Sequence, residues 1–267
     1  FDHRQQFDVL AQETGRTRLD IENFKLLALA AVKEVARDEA GVGLLVDDEL
    51  GRSALHKAAD IGCWIGRPVE VSGAFPIELN TGKDIGTALR EWPISQCIKV
   101  LVPYRLDDDE KLRCYHDDLL VRLATACSST GHELLVEIIS ARGEQTATPR
   151  DIPTIMAHFY GLGVYPDWWK LEPIDVPEFW QNCGDVARTY DQYLQGIIVL
   201  GYQMTGDRLM NVFSAAKTEP LVKGFAVGRT LFADIARSWF KGAVSDEQAT
   251  EKMTTDYRAL IAAWDSA

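Results

Sequence analysis

The sequence predicts an α/β fold of strand–helix units, a (β/α)8 TIM barrel whose first strand is truncated at the N-terminus. Three observations carry this. Short apolar runs of strand length alternate with amphipathic helical segments along the chain, the pattern of a parallel sheet with crossover helices. Eight such runs are counted when Phe1 is taken as the tail of the first. Polar residues lie inside or at the end of nearly every run. That favours a barrel, with a site at the C-terminal ends of its strands, over the competing doubly wound open sheet, whose polar groups gather at one switch point. The 267 residues, 46% of them hydrophobic, suit a single domain of this kind.

The elements follow in order. Phe1-Asp2-His3-Arg4 reads as the end of an apolar strand and begins without methionine, so further residues are expected upstream. Asp20 is expected to cap a helix over 20–37, whose apolar residues recur at three and four. Residues 41–49 form a buried strand with a charged C-terminal end, and 52–62 a short helix closed by Gly62. Residues 68–72 are a third strand carrying Glu70. After a loop over 73–82, a helix over 84–91 leads to a fourth strand, 97–103, with Lys99 inside it. The acids of 107–110 open a helix to about Ser129, and Gly131 stops it. The fifth strand, 133–139, holds Glu137 among apolar neighbours. A helix over 151–161 precedes the sixth strand, 166–173. Pro177 starts a helix to about Tyr190. The seventh strand is 196–201, a helix covers 207–217, and the eighth strand is 222–228, with Arg229 just beyond. Ser245-Asp246-Glu247-Gln248 is a capping box that opens a last helix to about Trp264.

Composition narrows the function. A formal charge of −12 excludes a broad nucleic-acid surface, which would be basic. No apolar run approaches the ~20 residues of a membrane span, and no signal peptide opens the chain. The five cysteines include no CxxC pair and are odd in number, as expected of reduced thiols in a cytoplasmic protein. The five histidines show no HxH or HxxxH spacing, so neither a metal nor a cofactor is expected.

The sixth strand carries the sharpest signal. Trp168, Lys170 and Glu172 share one face, and Trp169 and Leu171 the other. A lysine in a tryptophan-walled interior is expected to have a depressed pKa, which suits a Schiff-base nucleophile. Alternation also puts Lys99 with Leu101, and Glu137 with Leu135, on one face of each strand. If that face is the interior, two lysines and several carboxylates meet in one apolar cup. Lys170 is then the nucleophile, Glu137 the acid/base and Lys99 a second cation. Asp2, His3, Arg4, Asp47 and Glu49 are candidates for substrate binding at other strand ends. Gly201, with the turn after it, and Gly228 with Arg229 are candidates for holding a phosphate. Arg4 and Arg142 are candidates for meeting a substrate carboxylate. The competing reading is an inward layer of ion pairs that only stabilises the core.

Several stretches carry a resemblance. FDHR at 1–4, GLLVDDELG at 43–51, RPVEVSG at 67–73, IKVLVPY at 98–104, LLVEIIS at 134–140, PDWWKLEP at 166–173, IIVLG at 197–201 and GFAVGRTLF at 224–232 resemble the DUF2090 family. That family is the aldolase-like module often fused behind 5-dehydro-2-deoxygluconokinase of myo-inositol catabolism. It is similar in turn to the class I tagatose-bisphosphate aldolases. The resemblance implies a Schiff-base aldolase with Lys170 as nucleophile, Lys99 as second lysine and Glu137 as acid/base. It implies cleavage of 6-phospho-5-dehydro-2-deoxy-D-gluconate to dihydroxyacetone phosphate and malonate semialdehyde. Its implied partners are the phosphorylated keto-sugar substrate and a sugar kinase, fused or associated; charge and hydropathy argue against nucleic acid and membrane as partners. Where the family continues with an arginine and small residues after IIVLG, this chain has Tyr202-Gln203-Met204. Two alternatives stay open: a non-catalytic sugar-phosphate-binding barrel associated with a kinase, and an aldolase for another ketose phosphate such as tagatose 1,6-bisphosphate.

Overall fold

A computed structural model describes residues 1–2, 4–141, 148–201 and 206–267. The elements in chain order are α1 (Gln5–Thr14), α2 (Arg18–Val35), β1 (Gly43–Leu45), α3 (Arg52–Ala58), β2 (Trp64–Pro68), α4 (Ile85–Leu89), β3 (Gln96–Pro103), α5 (Glu110–Thr130), β4 (Leu134–Ile139), α6 (Asp151–Gly161), β5 (Trp168–Leu171), α7 (Pro177–Tyr190), β6 (Gly196–Gly201), α8 (Gly206–Ala216), β7 (Val222–Val227), α9 (Arg229–Phe240) and α10 (Asp246–Ser266). Every strand is followed by a helix, so the expected α/β alternation is present. The strand count differs from expectation: seven strands, not eight, occur among the described residues. Contacts divide the chain into two compact units, Phe1–Pro68 with Val227–Ser266, and Val69–Ala226 with Ala267.

In the first unit, β1 and β2 pair in parallel, with Gly43 opposite Trp64 and Leu45 opposite Gly66. The expected first strand, with Phe1 as its tail, is not formed among the described residues, where Phe1 has another role. Its ammonium donates to the Leu45 carbonyl at 2.6 Å, its ring packs against the apolar clusters of this unit, and α1 begins at Gln5. The helices α1 and α9 are additions to the sequence reading. Phe7, Phe24, Phe232 and Phe240 pack as one aromatic core, with the Phe7 and Phe232 rings stacked at 5.1 Å. The cap of α2 also moves. Thr17 is the N-cap, and Asp20 closes the capping box from the third helical position. At the other end of the unit, Ser245 and Gln248 form the expected box.

The second unit holds β3 to β7 side by side in chain order. The pairs β3–β4, β4–β5 and β5–β6 are parallel. The strands β3 to β6 are buried along most of their length, which is why they read as near-continuous apolar runs. Val100, Val102, Val136, Ile138, Trp169, Leu171, Ile197 and Val199 are fully buried. Trp169 is the largest of them and donates its indole N–H to Tyr160 Oη at 2.8 Å. Burial of such a side chain contributes about 1.5–3 kcal/mol relative to exposure. Asp109 caps α5, and Gly131 ends it with φ of 78°, a left-handed conformation that glycine adopts without strain.

The expected third strand is corrected. β2 ends at Pro68, and the residues after it turn into a short antiparallel excursion. Val71 N donates to Glu78 O, Asn80 N donates to Val69 O, and Glu70 bridges Leu79. The excursion is pinned to α5: Ile77 N donates to His116 Nε2 at 3.2 Å, and Tyr115 Oη donates to Ile77 O at 2.9 Å.

Candidate active site

Register decides which side chains meet in the second unit. Leu101, Glu137 and Lys170 lie at one level across β3, β4 and β5. Residues at one level of a parallel sheet point the same way, so Glu137 and Lys170 share a face, and Lys99, two residues before Leu101, joins them. Lys170 Nζ lies 3.1 Å from Glu137 Oε2. Lys99 Nζ lies 3.0 Å from that same oxygen and donates to Glu70 Oε1 at 2.9 Å. Glu70 Oε2 accepts the Leu101 N–H at 3.3 Å. The result is a chain of alternating charge, Glu70–Lys99–Glu137–Lys170, with each residue under 8% exposed.

Two carboxylates and two amines formally balance. Burying four ions still costs several kcal/mol of desolvation each, and well-packed apolar residues would often be as stable or more so. Stability alone is therefore a weak account of the cluster. The cluster places two buried lysine amines within ion-pair distance of one carboxylate oxygen.

Sequence reading brought Lys99, Glu137 and Lys170 to one face, and the structure brings them together. It left two neighbours without a role. Glu70 had been marked only as an acid in a strand. Glu172, on the Lys170 face, accepts from Ser140 N and Ser140 Oγ at 2.9 Å and from Ala141 N at 3.1 Å. It ties the end of β4 to β5. The signal for Glu172 was its position two residues after Lys170.

Gly201 ends β6 and is buried. The turn expected to cradle a phosphate, at 202–205, lies outside the described residues, as do His3 and Arg142. The remaining candidates belong to the first unit. Asp47 is fully buried, pairs with the equally buried Lys25, and accepts the Glu49 and Leu50 N–H groups at 3.0 and 2.6 Å. Arg4 is buried ahead of α1, and Asp2 and Arg4 both act electrostatically on Lys25. Burial holds the Lys25 amine below the ordinary lysine range, outweighing the attraction of Asp47. Sequence reading passed over Lys25, although it lies four residues after Ile21 and three before Ala28, on the apolar stripe of α2. Glu49 is exposed and pairs with Arg18 at 3.4 Å. Gly228 is the N-cap of α9, and Arg229 is its first residue.

Among the described residues, no group of three or more His, Cys, Asp or Glu is arranged to hold a metal ion. Nor is any described helix long and apolar enough to cross a membrane. A surface hollow lined by Tyr165, Asp167, Tyr190, Asp191 and Tyr193 opens beside the N-terminal end of β5 and shares no residue with the cluster.

Three solved structures share the fold. Cgl0159 from Corynebacterium glutamicum superposes with a TM-score of 0.55 at 17% identity, covering 86% of this chain and 77% of its own. A Schiff-base-forming fructose-1,6-bisphosphate aldolase gives 0.52 at 14% identity, covering 85% and 82%. An archaeal fructose 1,6-bisphosphate aldolase gives 0.51 at 17%, covering 84% and 82%. No curated protein matches the chain. The family match is to "Uncharacterized protein conserved in bacteria (DUF2090)" over residues 1–267, and the chain belongs to that family.

Proposed function

We propose that the protein is a class I aldolase, a metal-independent carbon–carbon lyase working through a Schiff base on Lys170. The observation that carries this reading is one oxygen, Glu137 Oε2, placed within 3.1 Å of two buried lysine amines. A buried ammonium is no nucleophile until it loses a proton, and Glu137 stands where it can take that proton directly. The free amine then adds to a substrate ketone. Glu137 returns the proton to the carbinolamine hydroxyl, water leaves, and an iminium forms. Loss of a proton from the hydroxyl on the far carbon of the breaking bond turns that carbon into an aldehyde. The bond's electrons move onto the iminium as an enamine, with Glu137 as base and the Lys99 charge beside the oxygen that develops charge. Protonation and hydrolysis of the enamine release the ketone product and restore Lys170. The shared fold of a Schiff-base-forming fructose-1,6-bisphosphate aldolase supports the reading.

The substrate proposed is 6-phospho-5-dehydro-2-deoxy-D-gluconate. The iminium forms at its C5 ketone and the C3–C4 bond breaks, giving dihydroxyacetone phosphate and malonate semialdehyde. A sugar kinase, fused or associated, would supply the phosphate ester. Five free thiols suit a reducing, cytoplasmic setting. Release of dihydroxyacetone phosphate, read by a coupled reductase in the presence of a chelator, tests the proposal. A panel including tagatose 1,6-bisphosphate, ranked by kcat/KM, separates the substrates. No release from any keto-sugar phosphate would leave the charge-balanced cluster as a structural layer in a non-catalytic binding protein.

A further inference from the structure

We infer that Glu70 is a positioning residue that fixes Lys99 as the lasting cation of the cluster and so leaves Glu137 as the proton carrier for Lys170. The inference rests on the aldolase reading for its catalytic meaning and on geometry for its physical content. Lys99 Nζ lies between two carboxylates, 2.9 Å from Glu70 Oε1 and 3.0 Å from Glu137 Oε2. The other Glu70 oxygen accepts the Leu101 N–H, so each carboxylate oxygen receives a donor.

Glu70 is also held from behind. Its backbone carbonyl accepts from Asn80 Nδ2 at 3.2 Å, and it bridges Leu79 in the excursion that α5 pins through His116 and Tyr115. The carboxylate is thereby set in place before any substrate arrives, which is what electrostatic preorganisation requires. Among the described residues, Glu70 from the excursion and Glu137 from β4 are the carboxylates in ion-pair contact with Lys99, and Lys170 of β5 contacts the same Glu137 oxygen. With Glu70 present, Lys99 has a second counter-charge besides Glu137, which leaves Glu137 better able to exchange a proton with Lys170. Without it, two ammonium groups compete for one carboxylate, and the cluster carries one unmatched positive charge. One lysine then gives up its proton at lower pH.

Glu70→Gln keeps the shape and an acceptor for Leu101 N–H while removing the charge. The measurement is a side-chain 15N NMR titration of lysine in the full chain, assigned with Lys99→Met, beside the pH profile of borohydride trapping at Lys170. The expected result is that Lys99 in Glu70→Gln is about tenfold or more less protonated at a given alkaline pH, a shift of about one unit. The alkaline limb of trapping should move with it. Glu70→Asp, which keeps the charge, should return most of the wild-type titration, a rescue that a merely structural role does not predict. Folding of each variant is checked by thermal melting. Superimposable wild-type and Glu70→Gln titrations would overturn the inference. A shifted titration with no trapping even in wild type would uphold the charge role of Glu70 and instead remove the aldolase reading.

Discussion

Glu137 and Lys170 stand opposite one another across β4 and β5, and their side chains meet at 3.1 Å. The contact is set by strand register and owes nothing to a loop. A shift of one residue in either strand would send one of the two side chains to the other face. Lys99 reaches the same Glu137 oxygen from β3, so three strands converge on one atom.

Glu137→Gln keeps the shape and removes the proton carrier. Turnover should fall about 10²–10⁴-fold, with kcat carrying most of the loss. Glu137→Ala should also lower stability by about 3–5 kcal/mol, because two buried amines lose a shared partner. Steady-state kinetics and denaturant melts read the two effects separately, and unchanged turnover in Glu137→Gln would end its acid/base role.

The Lys25–Asp47 pair gives a test of stability in the first unit. Lys25→Met leaves the fully buried Asp47 without its cation and should cost about 3–5 kcal/mol. The pair also has a pH signature. The folded Lys25 releases its proton below the ordinary lysine value, while the unfolded chain keeps it up to that value. Between the two, the unfolded state binds more protons, so the Lys25 contribution to stability rises with pH across that alkaline window. Subtracting Lys25→Met from wild type in denaturant melts over an alkaline pH series should show the rise. A flat difference would contradict it.

Gly184 lies in the interior of α7, where alanine ordinarily stabilises a helix by nearly 1 kcal/mol. Here the sign should reverse. A Cβ at this position would land on the carboxylate of Glu219, which is 2% exposed. That carboxylate is gripped by Arg188 at 2.8 and 3.0 Å and by Leu221 N at 2.9 Å. Gly184→Ala should lose about 1–3 kcal/mol by overpacking, read as a lowered Tm.

The thiols should separate by burial. Cys114 is exposed, and Cys63 is half-buried with its thiol pushed up by burial. Cys127 is buried and pushed up to about 12, and burial raises Cys97 and Cys183 well above the ordinary thiol range. A disulfide-exchange reagent should therefore label Cys114 first, then Cys63 slowly, and the other three only in denaturant. Rapid labelling of all five in the native protein would contradict this burial pattern.

Much of the second unit was legible because β3 to β6 are largely buried and therefore read as apolar runs in which any charge stands out. Lys99, Glu137 and Lys170 were found that way, and alternation gave their shared face. Glu70 was harder, because the acid lies past the end of β2, in an excursion whose pairing depends on contacts with α5. The helices α1 and α9 carried apolar residues at helical spacing, such as Phe232, Ala236 and Phe240. Reading Phe1 as a strand tail hid the first, and reading Gly228 and Arg229 as a phosphate-holding turn hid the second. Lys25 was passed over, and its Asp47 partner, 22 residues away in sequence, explains a charge on the apolar stripe.

The central claim is a Schiff base on Lys170, and borohydride reduction in the presence of dihydroxyacetone phosphate tests it most directly. Intact-mass and peptide analysis should find one adduct per chain, located on Lys170, formed equally well with a chelator present and lost in Lys170→Met. No adduct on the folded wild-type protein, or an adduct that survives in Lys170→Met, would contradict the account.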